Sequence, residues 1–188
     1  MIRVASINCY RQTGFNDPKQ KQLEQFVIRN NIDIAFLQEV NIDSETFDNC
    51  NFLTSNFYNL SNNNVSGYGT CAIIKNNFSA MNYRKDLDGR IQMFSVANLT
   101  FGNCYPQAGT DADARNNREH LLSETLPNML ASFPKDGLIV GDWNCISREA
   151  DATNNPKSKI SPSLKRLIST FQLKDCHHTC KNALALSL

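Results

Sequence analysis

The chain has no apolar run approaching the ~18 residues a membrane-spanning helix needs, and its start, Met1-Ile2-Arg3-Val4-Ala5-Ser6, lacks the long apolar stretch of a signal peptide. A membrane is therefore not an expected partner. It also lacks a surplus of one charge. Nineteen Lys and Arg against 18 Asp and Glu leave +1 at pH 7, which argues against a generally basic nucleic-acid coat but leaves room for a local basic groove. No low-complexity run, long linker or short-period repeat divides the 188 residues, so with 41% hydrophobic content a single domain over 1–188 is expected. A disulfide framework is missing too: the seven cysteines, at 9, 50, 71, 104, 145, 176 and 180, are odd in number, scattered and mostly within apolar segments. Thiols so placed suit a reducing compartment, and the chain reads as intracellular. Asn-x-Ser/Thr triplets such as Asn64-Val65-Ser66 and Asn98-Leu99-Thr100 would matter only in a secreted protein.

What is present is an alternation of strand and helix signals. Residues 2–8 alternate as a first strand, and Asp17-Pro18 supplies an N-cap and first-turn proline for a helix to about Asn30, with Leu23, Phe26 and Val27 on one side. An apolar strand, 32–37, leads to Gln38-Glu39. From 51 to about 105 the pattern becomes short β segments with turn punctuation at Gly67-Tyr68-Gly69 and Asp88-Gly89, which fits an antiparallel meander. A second helix after Gly109 carries Leu121, Leu122, Leu126, Met129 and Leu130, with Pro127 expected to kink or split it. The strand Gly137-Leu138-Ile139-Val140 leads to Gly141-Asp142-Trp143-Asn144. In the last helix Ser161 caps, Pro162 takes the first turn, and Leu164, Leu167, Ile168 and Phe171 mark the apolar stripe opposite Lys165 and Arg166. The expectation is an α/β sandwich of two packed sheets flanked by helices.

Two of these strands, about a hundred residues apart, end in an acid with a carboxamide beside it: Gln38-Glu39 and Asp142 with Asn144. Open α/β sheets collect ligands beyond the carboxyl ends of their strands, so the repetition reads as two halves of one site of hard oxygen ligands. Such ligands suit Mg²⁺ or Mn²⁺, ions that typically act on phosphates. Asp142 and Asn144, two apart, share a face if the backbone is extended. Each residue also has a plain structural reading: Glu39 as a water-facing strand end, Asp142 and Asn144 as an Asx turn, and Tyr105-Pro106 as loop structure. The cluster Arg115, Arg118, Glu119 and His120, like Arg90 after its turn, reads either as phosphate contacts or as solvated surface.

In order, Asn8, Leu37-Gln38-Glu39, Tyr68-Gly69-Thr70 before an apolar strand, Asn103-Cys104-Tyr105-Pro106 and Gly141-Asp142-Trp143-Asn144 resemble the endonuclease/exonuclease/phosphatase superfamily. Within it, the chain is most similar to the apurinic-type endonuclease domain of LINE-type (non-LTR) retrotransposons. The segment Asn154-Asn155-Pro156-Lys157-Ser158-Lys159 before Ser161-Pro162-Ser163-Leu164 resembles that branch as well. The resemblance implies a four-layered α/β sandwich, two mixed β-sheets flanked by helices, that nicks double-stranded DNA with one Mg²⁺ or Mn²⁺ ion. It implies that Glu39 binds the metal with Asn8 in support, and that Tyr105 hydrogen-bonds the scissile phosphate. Asp142 would position or deprotonate the attacking water, Asn144 would hold a phosphate oxygen, and Arg118 would be a further phosphate contact. A reverse transcriptase domain in a parent polyprotein and nuclear action belong to the same implication.

The chain departs from the family in one respect. The family's site also uses a Ser-Asp-His-like segment on a final strand, and this sequence contains no Asp-His dipeptide; after Asp175 it has Cys176-His177-His178-Thr179-Cys180. The domain is accordingly expected to be C-terminally incomplete, with weak or no catalysis. Zinc at Cys176, His177, His178 and Cys180 is disfavoured, because adjacent histidines flanked by single cysteines do not readily close a tetrahedron. The alternatives to a nicking enzyme are a degenerate, non-catalytic nucleic-acid-binding remnant and another phosphodiesterase or phosphatase of the superfamily.

Overall fold

The computed structural model describes residues 1–13, 17–42, 55–63, 67–148 and 160–176, which fall into two units. Met1–Tyr105 and Phe133–Asp142 form the first; Pro106–Ser132 and the described residues from Trp143 onward form the second.

The first unit holds β1 (Val4–Thr13), α1 (Asp17–Arg29), β2 (Ile34–Asn41), β3 (Phe57–Asn63), β4 (Gly69–Lys75), β5 (Met81–Lys85), β6 (Ile91–Val96), β7 (Leu99–Cys104) and β8 (Gly137–Gly141). They make two four-stranded sheets, ordered β1-β2-β4-β3 and β5-β6-β7-β8. Each sheet is mixed, with one parallel pair, β1 with β2 and β7 with β8, and antiparallel pairs elsewhere. The continuous apolar run at the start of β2 follows from burial on both faces. Ala35 and Leu37 pack with Leu23 and Val27 of α1, while Ile34 and Phe36 face Phe94, Val96 and Phe101 of the second sheet. The ring centroids of Phe36 and Phe94 lie 5.7 Å apart and those of Phe94 and Phe101 6.1 Å, contacts worth about 0.5–1.5 kcal/mol each beyond their burial.

The antiparallel segments expected between 51 and 105 do pair in that sense, but they divide between the sheets. β3 and β4 extend the first, and β5, β6 and β7 build the second. β5 is an exposed edge strand without apolar alternation, which is why the sequence pattern passes over it.

The second unit carries α2 (Ala112–His120), a π turn (Leu121–Thr125), α3 (Leu126–Leu130) and α4 (Pro162–Thr170). The Asp111 side chain caps α2 through Ala114 N, and Ser161 Oγ accepts from Leu164 N at 3.0 Å to cap α4 as expected. Pro127 splits the middle helix by way of the π turn. A proline offers no N–H to the carbonyl four residues back and its ring crowds that carbonyl, and a widened turn relieves both problems. Glu119 Oε2 accepts from Ser163 N at 2.9 Å, a carboxylate at a helix N-terminus rather than in a phosphate cluster. The fold is the α/β sandwich of two mixed sheets and helices that the sequence suggests. Among the described residues no helix is long and apolar enough to cross a membrane.

Candidate active site

The pairing of β1 with β2 is regular from Val4↔Ile34 to Asn8↔Gln38 and then breaks, resuming at Gln12↔Val40; β2 and β4 break between Gln38 and Val40 as well. Glu39 is thus the inserted residue of a β-bulge, with φ +53°, and β2 does not end at Glu39 but runs on to Asn41. Without the bulge, Val40 would share a face with Gln38. Instead it returns to the α1-facing cluster with Leu37, and Glu39 is expelled from the ladder. The irregular stretch of β1 contains Tyr10 at φ +52°.

The expelled carboxylate meets a partner. Asn8 Nδ2 donates to Glu39 Oε1 at 3.2 Å and to Asp142 Oδ2 at 2.8 Å, so one carboxamide joins an acid from the first sheet to an acid just beyond β8 of the second. Asn8 Oδ1 accepts from Tyr10 N at 2.9 Å, which fixes the direction in which the amide faces. All three side chains are half-buried. Asp142 is delivered by Gly141, at φ +146°, where a Cβ would lie 1.8 Å from the carbonyl oxygen of Cys104; no other residue type fits that approach of β8 to β7.

Tyr105, 7% exposed just after β7, donates its N–H to Arg90 O at 2.8 Å, and the Arg90 guanidinium lies 4.9 Å above its ring. Burial first, then a hydrogen bond to the Glu39 carboxylate and that group's charge, push the phenol up to about 12, with Arg90 opposing. Tyr105 is therefore a neutral donor at physiological pH.

Of the residues singled out in the sequence, the structure brings Asn8, Glu39, Tyr105 and Asp142 together. Asn144 and Arg118 belong to the other unit. Asn144 has φ +49°, and its Nδ2 donates to Pro106 O at 2.9 Å. Arg118, 2% exposed, donates from Nη1 to the carbonyls of Gln107 at 2.9 Å and Gly109 at 3.2 Å, bracing the 107–109 backbone. Sequence reasoning missed Asn103 as more than part of a motif. It is fully buried and hydrogen-bonded to Gln38, and an Asn inside an otherwise apolar strand was the available signal. His177, His178 and Cys180 lie outside the described residues, as do 154–159.

Among the described residues no group of three or more His, Cys, Asp and Glu converges. The donors that do converge, two carboxylates about a carboxamide, are hard oxygen ligands and fit Mg²⁺ or Mn²⁺, ions that keep much of their shell as water and substrate phosphate.

The fold is shared with solved structures. An AP endonuclease from Archaeoglobus fulgidus superposes with a TM-score of 0.68 at 15% identity, covering 92% of this chain and 70% of that one. A 3′ phosphatase, NExo, from Neisseria, bound to a product DNA hairpin, gives 0.65 at 15% identity over 91% and 69%. D. rerio TDP2 complexed with a single-strand DNA product gives 0.57 at 12% identity over 77% and 61%. No curated protein matches the sequence. The model of the Endonuclease/Exonuclease/phosphatase family matches residues 5–179, which spans both units and every residue of the site, and the chain belongs to that family.

Proposed function

We propose that this chain is a divalent-metal-dependent phosphodiesterase that nicks double-stranded DNA, the nuclease domain of a retrotransposon polyprotein that also carries reverse transcriptase and acts in the nucleus. The observation that carries the proposal is the pair of hydrogen bonds from Asn8 Nδ2 to Glu39 and Asp142, which gathers two acids from different sheets about one donor. DNA as substrate is supported by the DNA-bound relatives of the same fold, and the retrotransposon origin by the run Asn154 to Lys159 ahead of the helix capped by Ser161.

Glu39 would hold the metal ion, with Asn8 in support through its hydrogen bond to the Glu39 carboxylate. Bound there, one Mg²⁺ or Mn²⁺ ion would supply positive charge against the non-bridging phosphate oxygens. Asp142 orients a water for in-line attack on phosphorus and accepts its proton as the bond to the leaving oxygen breaks. Tyr105, held protonated by burial and by Glu39, donates to a phosphate oxygen. Asn144 holds a second phosphate oxygen, and Arg118 contributes to phosphate binding through the 107–109 backbone it braces. The 3′ phosphatase among the similar structures favours a second reading, a phosphatase or other phosphodiesterase of the family working with the same residues.

Supercoiled plasmid with Mg²⁺ is the test. Because the chain has no Asp-His pair, it is expected to convert plasmid to the open circle only weakly, and Glu39→Ala or Asp142→Asn to slow that residual conversion about 10²-fold or more. Equal rates for the parent and Glu39→Ala would overturn the assignment, and cleavage of 3′-phosphorylated ends without nicking would replace it by the second reading.

A further inference from the structure

Gln38 and Asn103 are buried side by side where the two sheets meet, one residue before Glu39 and two before Tyr105. Gln38 Nε2 donates to Asn103 Oδ1 at 2.8 Å, to Ser6 Oγ at 3.1 Å and to Phe36 O at 3.3 Å. Asn103 Nδ2 reaches from β7 across to the first sheet, donating to Leu37 O at 2.9 Å and Cys71 O at 3.3 Å, carbonyls of register-paired residues on β2 and β4. Burying two carboxamides between apolar sheets is unfavourable unless their polar atoms are paired, and a pair of apolar side chains would close the same gap. What the carboxamides add is direction. Apolar faces slide at little cost, whereas these bonds hold at one offset between β2 and β7 only.

We infer that Gln38 and Asn103 are positioning residues, a clamp between the sheets that sets the separation of Glu39 from Tyr105 and so the geometry of the reacting site. The inference rests on the phosphodiesterase reading for its catalytic consequence, since a displacement of about 1 Å in such a site reduces rate about 10²-fold.

Asn103→Leu, Gln38→Met and their combination test it, with Phe94→Leu as a control that weakens the same inter-sheet core away from the clamp. Plasmid nicking and the NMR signals of the Asn8 side-chain amide are the readouts. Each clamp variant is expected to lower kcat about 10- to 100-fold with KM for DNA unchanged, and to move the Asn8 amide signals toward those of a solvated amide. The double variant falls no further than the worse single one, because the two side chains act as a unit. Unchanged kcat and unmoved Asn8 signals would overturn the clamp, as would Phe94→Leu producing the same changes at equal loss of thermal stability. Should Asn103→Leu fail to fold, Ser6→Ala removes one bond of the network and is read by the same amide signals. A parent chain that nicks nothing would sink the phosphodiesterase reading alone, and the Asn8 signals would still decide the clamp.

Discussion

Glu39, Tyr10 and Asn144 hold left-handed backbone at φ +53°, +52° and +49°, each costing about 1–3 kcal/mol that surrounding contacts must offset. Two of the three are residues to which the site chemistry is assigned, and the third anchors Asn8. Their types and spacing were visible in the sequence; their conformations were not, because a bulge is a property of register with a neighbouring strand. Burial also sets the protonation of neighbouring groups. It pushes the Tyr105 phenol and the Cys71 thiol up to about 12 and raises Tyr83 further, so the folded chain holds these protons more tightly than the unfolded one. With more protons bound in the native state, stability is fully present below the unfolded values and falls as pH rises through the folded ones, by about 1.4 kcal/mol per pH unit for each group. Urea midpoints are expected to be flat from pH 7 to about pH 8.5, where an unfolded thiol begins to ionise, and to fall toward pH 12, less steeply in Tyr105→Phe. A midpoint that held constant to pH 12 would contradict the burial of all three.

At the scale of elements, helices were the more legible. The Ser161 cap, Pro162 and the stripe through Leu164 and Leu167 define α4 locally, and α1 ends within a residue of its expected stop. Pro127 announced an interruption, but its form as a π turn depends on how the chain recovers lost hydrogen bonds. Strands were legible where burial on both faces produced an apolar run, as in β2, and not where most of the strand is exposed, as in β5. Gly141 is the point at which an element delivers a site residue. Gly141→Ala is expected to lower stability by about 2–4 kcal/mol and, by shifting Asp142, to reduce nicking even under conditions where the variant stays folded. Thermal melts with parallel nicking assays check both parts, and a wild-type melting temperature would rule out the close approach to Cys104.

For the whole molecule, two sheets were expected from strands that end in acids at each end of the chain, and the site does join them. The division of the middle strands between sheets was not legible, since antiparallel pairing is local while membership of a sheet is decided by distant faces such as those of Phe36 and Phe94. The clamp of Gln38 and Asn103 escaped notice for the same reason: its partners are 65 residues apart and nothing in either segment alone points to the other.

The proposed function stands or falls on Glu39, with Asn8 in support, holding one divalent cation beside Asp142. Titration of the purified chain with Mn²⁺, followed by the relaxation of water protons or by calorimetry, tests it without any substrate. One ion is expected per chain, with affinity reduced about 10-fold or more in Glu39→Ala and about 10- to 100-fold by loss of the supporting Asn8 side chain. Binding that is absent from the parent chain, or that is the same in Glu39→Ala, would contradict it.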